Sequence, residues 1–497
     1  MLKLINFLLL LICLHQVAES QRMRLTTDSY RELLRKTYTS KSEGRSYVSR
    51  SDIDVGSPLL LTPYIEQNKL EDAREAAAVD PEVLTPGCGS KHNCIDSYSG
   101  FLTVNKEYNS NLWFWYFPVK NQPVEDTPWL IWLQGGPGVS SLFGLFTEIG
   151  PFVVNKDDKL EEIMYSWGKN HSLIFIDSPV GTGYSFTDDK RGFATSHTAV
   201  GEDLHTALQQ FLTIFPELRK PPLIITGESY AGKYIPALGM QILKHKNDSP
   251  PINLQGLAIG NGWSDPGTLM NISYVAREVG LLDDHAADLM RTLEVTVREW
   301  IKNGELVKSF YYFADTIQIL QTISNVSNIY NYLEEEVNLE GAHVSYIQQP
   351  EIRRALHVGN ALYNATNYND VYDNLVPVFM ESVTPWIEEL LEHYRVMIFN
   401  GHLDLLVAYK PTSDMCNALS FTGSSEFRNN KRTPWYHDGI IAGYVRKGGN
   451  LMEVMVRGAG HMVPSDKPAA AYALISAFVR DISLDEDTAS IVPPENQ

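Results

Sequence analysis

The sequence predicts an α/β fold with a mostly parallel central sheet and an inserted, largely helical segment. Three observations carry this expectation. From about Pro86 onward, apolar runs of strand length alternate with helix-like stretches and glycine-rich turns. The runs do not alternate polar with apolar residues, which marks strands buried on both faces of a parallel sheet. Between Asp265 and about Pro385 the rhythm stops, and two further runs follow, so the interruption reads as an insertion rather than a tandem domain.

The chain opens on a leader pattern. Lys3 precedes the apolar run Phe7-Leu8-Leu9-Leu10-Leu11-Ile12-Cys13-Leu14, and Ala18-Glu19-Ser20 follows. A charged start, a short apolar stretch and small residues at a cleavage point describe a secretory signal peptide over residues 1–20. That run is shorter than the roughly 20 residues a bilayer requires, and no later run reaches that length. The expectation is a secretory-pathway protein, secreted or lysosomal, with no membrane anchor. Residues 21–80 are polar, with scattered basic residues from Arg22 to Arg50 and an acidic, alanine-containing stretch from Glu71 to Asp80. They read as an N-terminal extension or pro-segment, with a helix at Ser29–Tyr38.

The expected strands then come in order: Leu112–Phe117, Trp129–Leu133, Leu173–Ile176, Leu223–Thr226 and Leu257–Ile259, followed after the insertion by Val396–Phe399 and Met452–Val456. The implied organisation is a core in two parts, 81–264 and 386–485, around a cap at 265–385, with a C-terminal tail at 486–497.

Composition narrows the class. With 497 residues, 44% hydrophobic and 20% charged, the chain can bury a large core. A net charge of -19 without a clustered Lys/Arg footprint disfavours nucleic-acid binding. Once Cys13 leaves with the leader, Cys88, Cys94 and Cys416 remain, which permits one disulfide in any of three pairings. Sequons at Asn170, Asn247, Asn271, Asn325 and Asn364 agree with the secretory route, that at Asn247 being weakened by Pro250. No H-e-x-x-H or paired C-x-x-C motif suggests a metal, and no cofactor is expected.

The strongest local signal is Ile224-Ile225-Thr226-Gly227-Glu228-Ser229-Tyr230-Ala231-Gly232: a strand, a tight turn with serine at its tip, then a helix. Gly227 and Ala231, two positions either side of the serine, allow close backbone approach, as in a nucleophile elbow. Gly227–Lys233 also fits the first seven positions of a phosphate-binding loop, but Tyr234 stands where Ser or Thr must reach magnesium. The elbow calls for an acid and then a base on later strand-end turns. Asp404 follows the run Val396–Phe399, and His461 follows Met452–Val456. Asp177 precedes the serine and His402 precedes the acid, so both rivals break the order. The loop Gln134-Gly135-Gly136-Pro137-Gly138 after Trp129–Leu133 is suited to an oxyanion amide, partnered by that of Tyr230.

Taken in order, Gln134–Ser141, Asp177–Ser185, Gly227–Tyr234, Asn261–Pro266 and Gly458–Pro464 resemble the signature blocks of the serine carboxypeptidase family over about residues 85–482. The likeness is strongest to its vitellogenic carboxypeptidase-like group. The resemblance implies an α/β-hydrolase fold, with Ser229 as nucleophile, His461 as base and Asp404 as its orienting acid. It also implies oxyanion donors at Gly136 and Tyr230, and binding of the substrate's terminal carboxylate by Gln134, Gly135 and Glu228, with Glu148 paired to Glu228. Two facing carboxyls share a proton and can then donate to an anion. The implied activity is release of single C-terminal residues from peptides or proteins at mildly acidic pH, with ester cleavage persisting at higher pH. Gln134 departs from the family's usual Asn, and Val139 from its usual Cys. Alternatives are an acyltransferase or esterase on the same scaffold, or a catalytically silent secreted homologue; the assembly expected is a monomer or homodimer.

Overall fold

The computed structural model describes residues 54–91, 94–248, 250–335, 341–365 and 370–494. The leader and the expected helix at Ser29–Tyr38 lie outside them. One eleven-stranded sheet forms the body: β1 Ala78–Val79, β2 Ser97–Asn105, β3 Ser110–Phe117, β4 Trp129–Leu133, β5 Ser172–Ile176, β6 Leu223–Glu228, β7 Leu254–Gly260, β8 Arg395–Gly401, β9 Thr433–His437, β10 Ile440–Gly448 and β11 Leu451–Val456. Their spatial order is β1-β2-β3-β5-β4-β6-β7-β8-β11-β10-β9. The six strands from β5 to β11 in that order run parallel. Antiparallel strands extend both edges.

All seven expected runs fall inside strands. The sheet grows beyond them where burial is one-sided: β10 mixes half-buried and exposed positions, and so lacks a continuous apolar run. Leu112–Phe117 is fully buried although it pairs antiparallel on both sides.

Helices cover both faces. Introduced in chain order, they are α1 Leu70–Ala77, α2 His197–Ile214, α3 Ala231–Lys244, α4 Asp284–Lys302, α5 Leu306–Ser324, α6 Thr384–Leu391 and α7 Pro468–Arg480. Trp129, Ile131 and Leu133 share one core cluster with α2, α3 and α6, whereas Leu130 and Trp132 share the other with α7. This is the two-residue period of a strand buried on both sides. Between β7 and β8 the described residues contribute helices and no strand of the sheet. Phe310, Phe313 and Ile317 of α5 are buried there, with Phe313 packed on Trp263 after β7.

Two segments expected to flank the core pack against it. Residues 54–80 do not behave as an appendage, because Leu61, Ala73 and Ala77 are completely buried. Leu61 N donates to Phe101 O at 2.8 Å, and Arg74 pairs with Glu217 at 2.7 Å. The face of α1 that packs inward is built of alanines four apart, too weakly apolar to stand out in sequence. The expected tail at 486–497 is likewise packed at its start: Thr488 is buried and accepts from Trp435 Nε1 at 3.0 Å. Cys88 is joined to Cys94, and Cys416 is a buried free thiol.

The sequons separate by burial. Asn247 and Asn325 are exposed, and Asn271 and Asn364 are intermediate. Asn170 is buried, with its amide donating to Tyr472 Oη, which sets it apart from the other four. Among the described residues no helix is long and apolar enough to cross a membrane.

Candidate active site

Ser229 stands between the end of β6 and the start of α3 with φ 61°, left-handed backbone that a non-glycine residue adopts rarely. The turn is held from both sides: Ser229 N donates to Gly260 O at 3.0 Å, and Ser229 O accepts from Trp263 N at 2.8 Å. A Cβ on Gly227 would lie 2.2 Å from Leu133 O, so the strand before the turn tolerates no side chain there. The serine is 8% exposed at the C-terminal end of the parallel strands.

Asp404 and His461 come from loops after β8 and β11. His461 Nδ1 and Asp404 Oδ2 lie 2.6 Å apart, and both side chains are fully buried. Asp404 Oδ1 accepts from Leu406 N at 2.8 Å and Val407 N at 3.1 Å, while Oδ2 also accepts from Asn261 Nδ2 at 2.6 Å. Asn261 is oriented in turn, since its Oδ1 accepts from Gly401 N at 3.1 Å. These donors leave one geometry for Asp404 and turn Nδ1–H of His461 toward it. Among the described residues His461 Nε2, which is buried, has no hydrogen-bond partner, Ser229 included. Such contacts are often loose until substrate binds.

The rivals are occupied elsewhere. Asp177 accepts from Ser140 Oγ at 2.6 Å, Ser141 N at 3.0 Å and Tyr184 N at 2.9 Å, and burial pushes it up to about 7. It ties the loop after β5 to the glycine-rich loop after β4. His402 is held below the usual histidine range by partial burial and the Arg457 charge. Lys233, the lysine of the phosphate-loop pattern, is buried, donates to Glu381 O, and is pushed down to about 7 by burial.

Gly135 lies against Ser229: a Cβ there would be 2.6 Å from both Ser229 Cβ and Tyr230 N. Gly135→Ala is therefore expected to push the glycine-rich loop off the elbow and lower kcat by on the order of 10²-fold. Steady-state kinetics beside a thermal melt checks this, the melt separating a local shift from unfolding.

A buried acid pair lies next to the elbow. Trp132 Nε1 donates to Gln134 Oε1 at 2.7 Å, which turns the Gln134 amide nitrogen toward Glu228 Oε1 at 2.7 Å and Glu148 Oε1 at 3.3 Å. Burial, Glu148 beside it and Asp404 beyond hold Glu228 well above the usual carboxylate range. Glu148 is pushed up to about 8, chiefly by burial. Two facing buried carboxyls cannot both ionise, so the pair keeps a proton across the acid range. The missed participants are Asn261 and Trp132. Asn261 had one local signal, a polar residue before Gly262 at the end of β7.

A serine at a strand–helix elbow and an Asp–His pair on later strand ends, all at the C-terminal ends of the strands of a mostly parallel sheet, define an α/β hydrolase. The family model described as serine carboxypeptidase matches residues 86–481, and the chain belongs to the serine carboxypeptidase family. The chain is 39% identical over 460 residues to the vitellogenic carboxypeptidase of Aedes aegypti, covering 90% of this chain and 93% of that one. It is 40% identical over 439 residues to the venom serine carboxypeptidase of Apis mellifera, covering 86% and 92%. Among solved structures, the prohormone-processing carboxypeptidase Kex1(delta)p of Saccharomyces cerevisiae superposes with TM-score 0.73 at 26% identity, covering 82% of this chain and 96% of that one. The protein is a serine-type carboxypeptidase, a hydrolase acting on peptides.

Proposed function

We propose that Ser229, His461 and Asp404 carry the hydrolysis, and that the Glu148–Glu228 pair selects the free C-terminus. The Ser229 hydroxyl attacks the last peptide carbonyl and passes its proton to His461 Nε2. The oxyanion is held by the amides of Gly136 and Tyr230, and the histidine returns the proton to the departing amino acid. Water then attacks the acyl-enzyme by the same relay. The observation that carries this reading is the buried Glu148 and Glu228 carboxyls beside the elbow, both reached by the Gln134 amide, with Gly135 next to them. An esterase has no terminal carboxylate to bind and no use for such a pair.

Sign and window follow from the pair. In acid the pair is fully protonated; as pH rises toward about 8 Glu148 gives up its proton while Glu228, held higher, keeps the other, and the new negative charge then faces the substrate's carboxylate. Peptide release is therefore expected to fall over that rise, while ester cleavage persists because it needs only the base. The test is mass spectrometry of an N-blocked peptide, with a free or an amidated C-terminus, at several pH values. Stepwise loss of C-terminal residues in acid, weakened by amidation, is the expected result; a peptidase optimum above neutral would sink the assignment. Glu228→Gln is expected to cut the preference for the free over the amidated peptide by roughly 10- to 100-fold, the worth of a hydrogen bond to a charged group.

We further propose that the chain follows the secretory route to a secreted or lysosomal destination. The leader pattern of residues 1–20 and the Cys88–Cys94 disulfide support this. The relatives named for venom and vitellogenesis support it as well. Asn247, Asn271, Asn325 and Asn364 are the sequons proposed to carry glycans, and 265–385 the cap over the entrance to the site.

A further inference from the structure

A short strap of the inserted segment, residues 328–332, runs across both loops that carry the buried Asp–His pair. Beside the acid, Leu405 N donates to Ile329 O at 2.9 Å and Tyr332 N to Leu403 O at 3.2 Å. Beside the base, His461 N donates to Tyr330 O at 2.7 Å, and the Tyr330 ring stands edge-on to the imidazole, with centroids 4.9 Å apart. One carboxylate ties strap and base together. Asp466 Oδ2 accepts from Gly460 N, the residue before His461, at 2.6 Å, and from Asn331 Nδ2, next to Tyr330, at 3.1 Å. The turn bearing Asp466 is itself anchored, as Ser465 Oγ donates to Thr147 O at 2.7 Å beside Glu148.

We infer that Asp466 is a positioning residue for His461, acting through the Gly460 amide and through Asn331 of the strap. The inference rests on the triad proposed above. Asp404 fixes the ring of His461 through Nδ1, but a ring bond leaves the backbone free to tilt the imidazole about that contact. Asp466 restrains the peptide before His461, and Tyr330 O restrains its own N–H. The base is thereby held at three points, and two of the three involve the strap. Nε2 must meet the serine hydroxyl within hydrogen-bond reach, and small displacements there cost rate rather than binding. Asp466 is partly exposed, and its hold on His461 comes from the short bond its carboxylate accepts from the Gly460 amide.

The test compares Asp466→Ala, Asp466→Asn, Asn331→Ala and the Asp466→Ala/Asn331→Ala double variant in the full-length protein. Asp466→Ala is expected to lower kcat by roughly 10- to 30-fold for peptide and ester substrates alike, with KM within about twofold. Asp466→Asn keeps an oxygen for the Gly460 amide and should recover most of that loss. The double variant should be no slower than Asp466→Ala alone, because both residues act through one contact. The low-field proton resonance of the His461–Asp404 bond should shift or broaden in Asp466→Ala, whether or not a substrate is turned over. An unchanged kcat, a loss confined to the KM of peptides, or an unaltered resonance would each overturn the inference. Absence of any turnover by the unaltered protein would instead count against the triad assignment, and the resonance would still decide the role of Asp466.

Discussion

Ser229→Ala is expected to lower kcat for release of a C-terminal residue by about 10⁶-fold, the loss seen when a serine nucleophile is deleted from an otherwise intact site. The substitution removes one oxygen at a position 8% exposed and leaves the elbow's main-chain bonds in place. The fold and peptide binding should therefore survive. Single-turnover mass spectrometry checks it: the unaltered protein should accumulate an acyl-enzyme mass on a slow ester, and the variant none. Residual turnover within about tenfold of the parent would remove Ser229 from the chemistry, since loss of a mere hydrogen-bond partner costs no more than that.

Asp404→Asn is expected to cost about 10⁴-fold in kcat with little change in KM. The surrounding donors dictate the outcome. Oδ1 receives two main-chain amides, so the asparagine oxygen must take that place and its NH₂ must face Asn261 and His461. Asn261 cannot turn round without abandoning the Gly401 amide. The new NH₂ then meets one donor at Asn261 and forces His461 Nδ1 to become an acceptor. The imidazole proton moves to Nε2, and the base can no longer take the serine proton. A shift of the imidazole proton from Nδ1 to Nε2 in the variant, read by nitrogen-15 NMR of His461, would support this tautomer account. A loss below tenfold for Asp404→Asn would refute it.

Much of the site's layout was legible because each part is written in a few consecutive residues. A continuous apolar run ending in a small-residue turn announces a buried parallel strand and the loop at its end. Ser229, Asp404 and His461 each follow such a run, in the chain order an elbow requires. The acid pair was not legible in this way. Glu148 lies 80 positions before Glu228, on a one-turn segment without periodicity, and only the family resemblance linked them. Asn261 stands 143 positions from the carboxylate it orients, and Asn170 stands 302 from the tyrosine that buries its amide.

The sequence by itself determined the α/β class, the seven buried strand runs and the tight turn at the serine, because hydrophobic period and small-residue spacing act over a handful of neighbours. Tertiary structure alone decided the antiparallel edges of the sheet and the packing of residues 54–80 on the body. It also decided which polar atoms meet around Asp404, Glu228 and Gly460. Those contacts join residues far apart in the chain, and their partners are chosen by strand order and by the requirement that buried polar groups find hydrogen bonds.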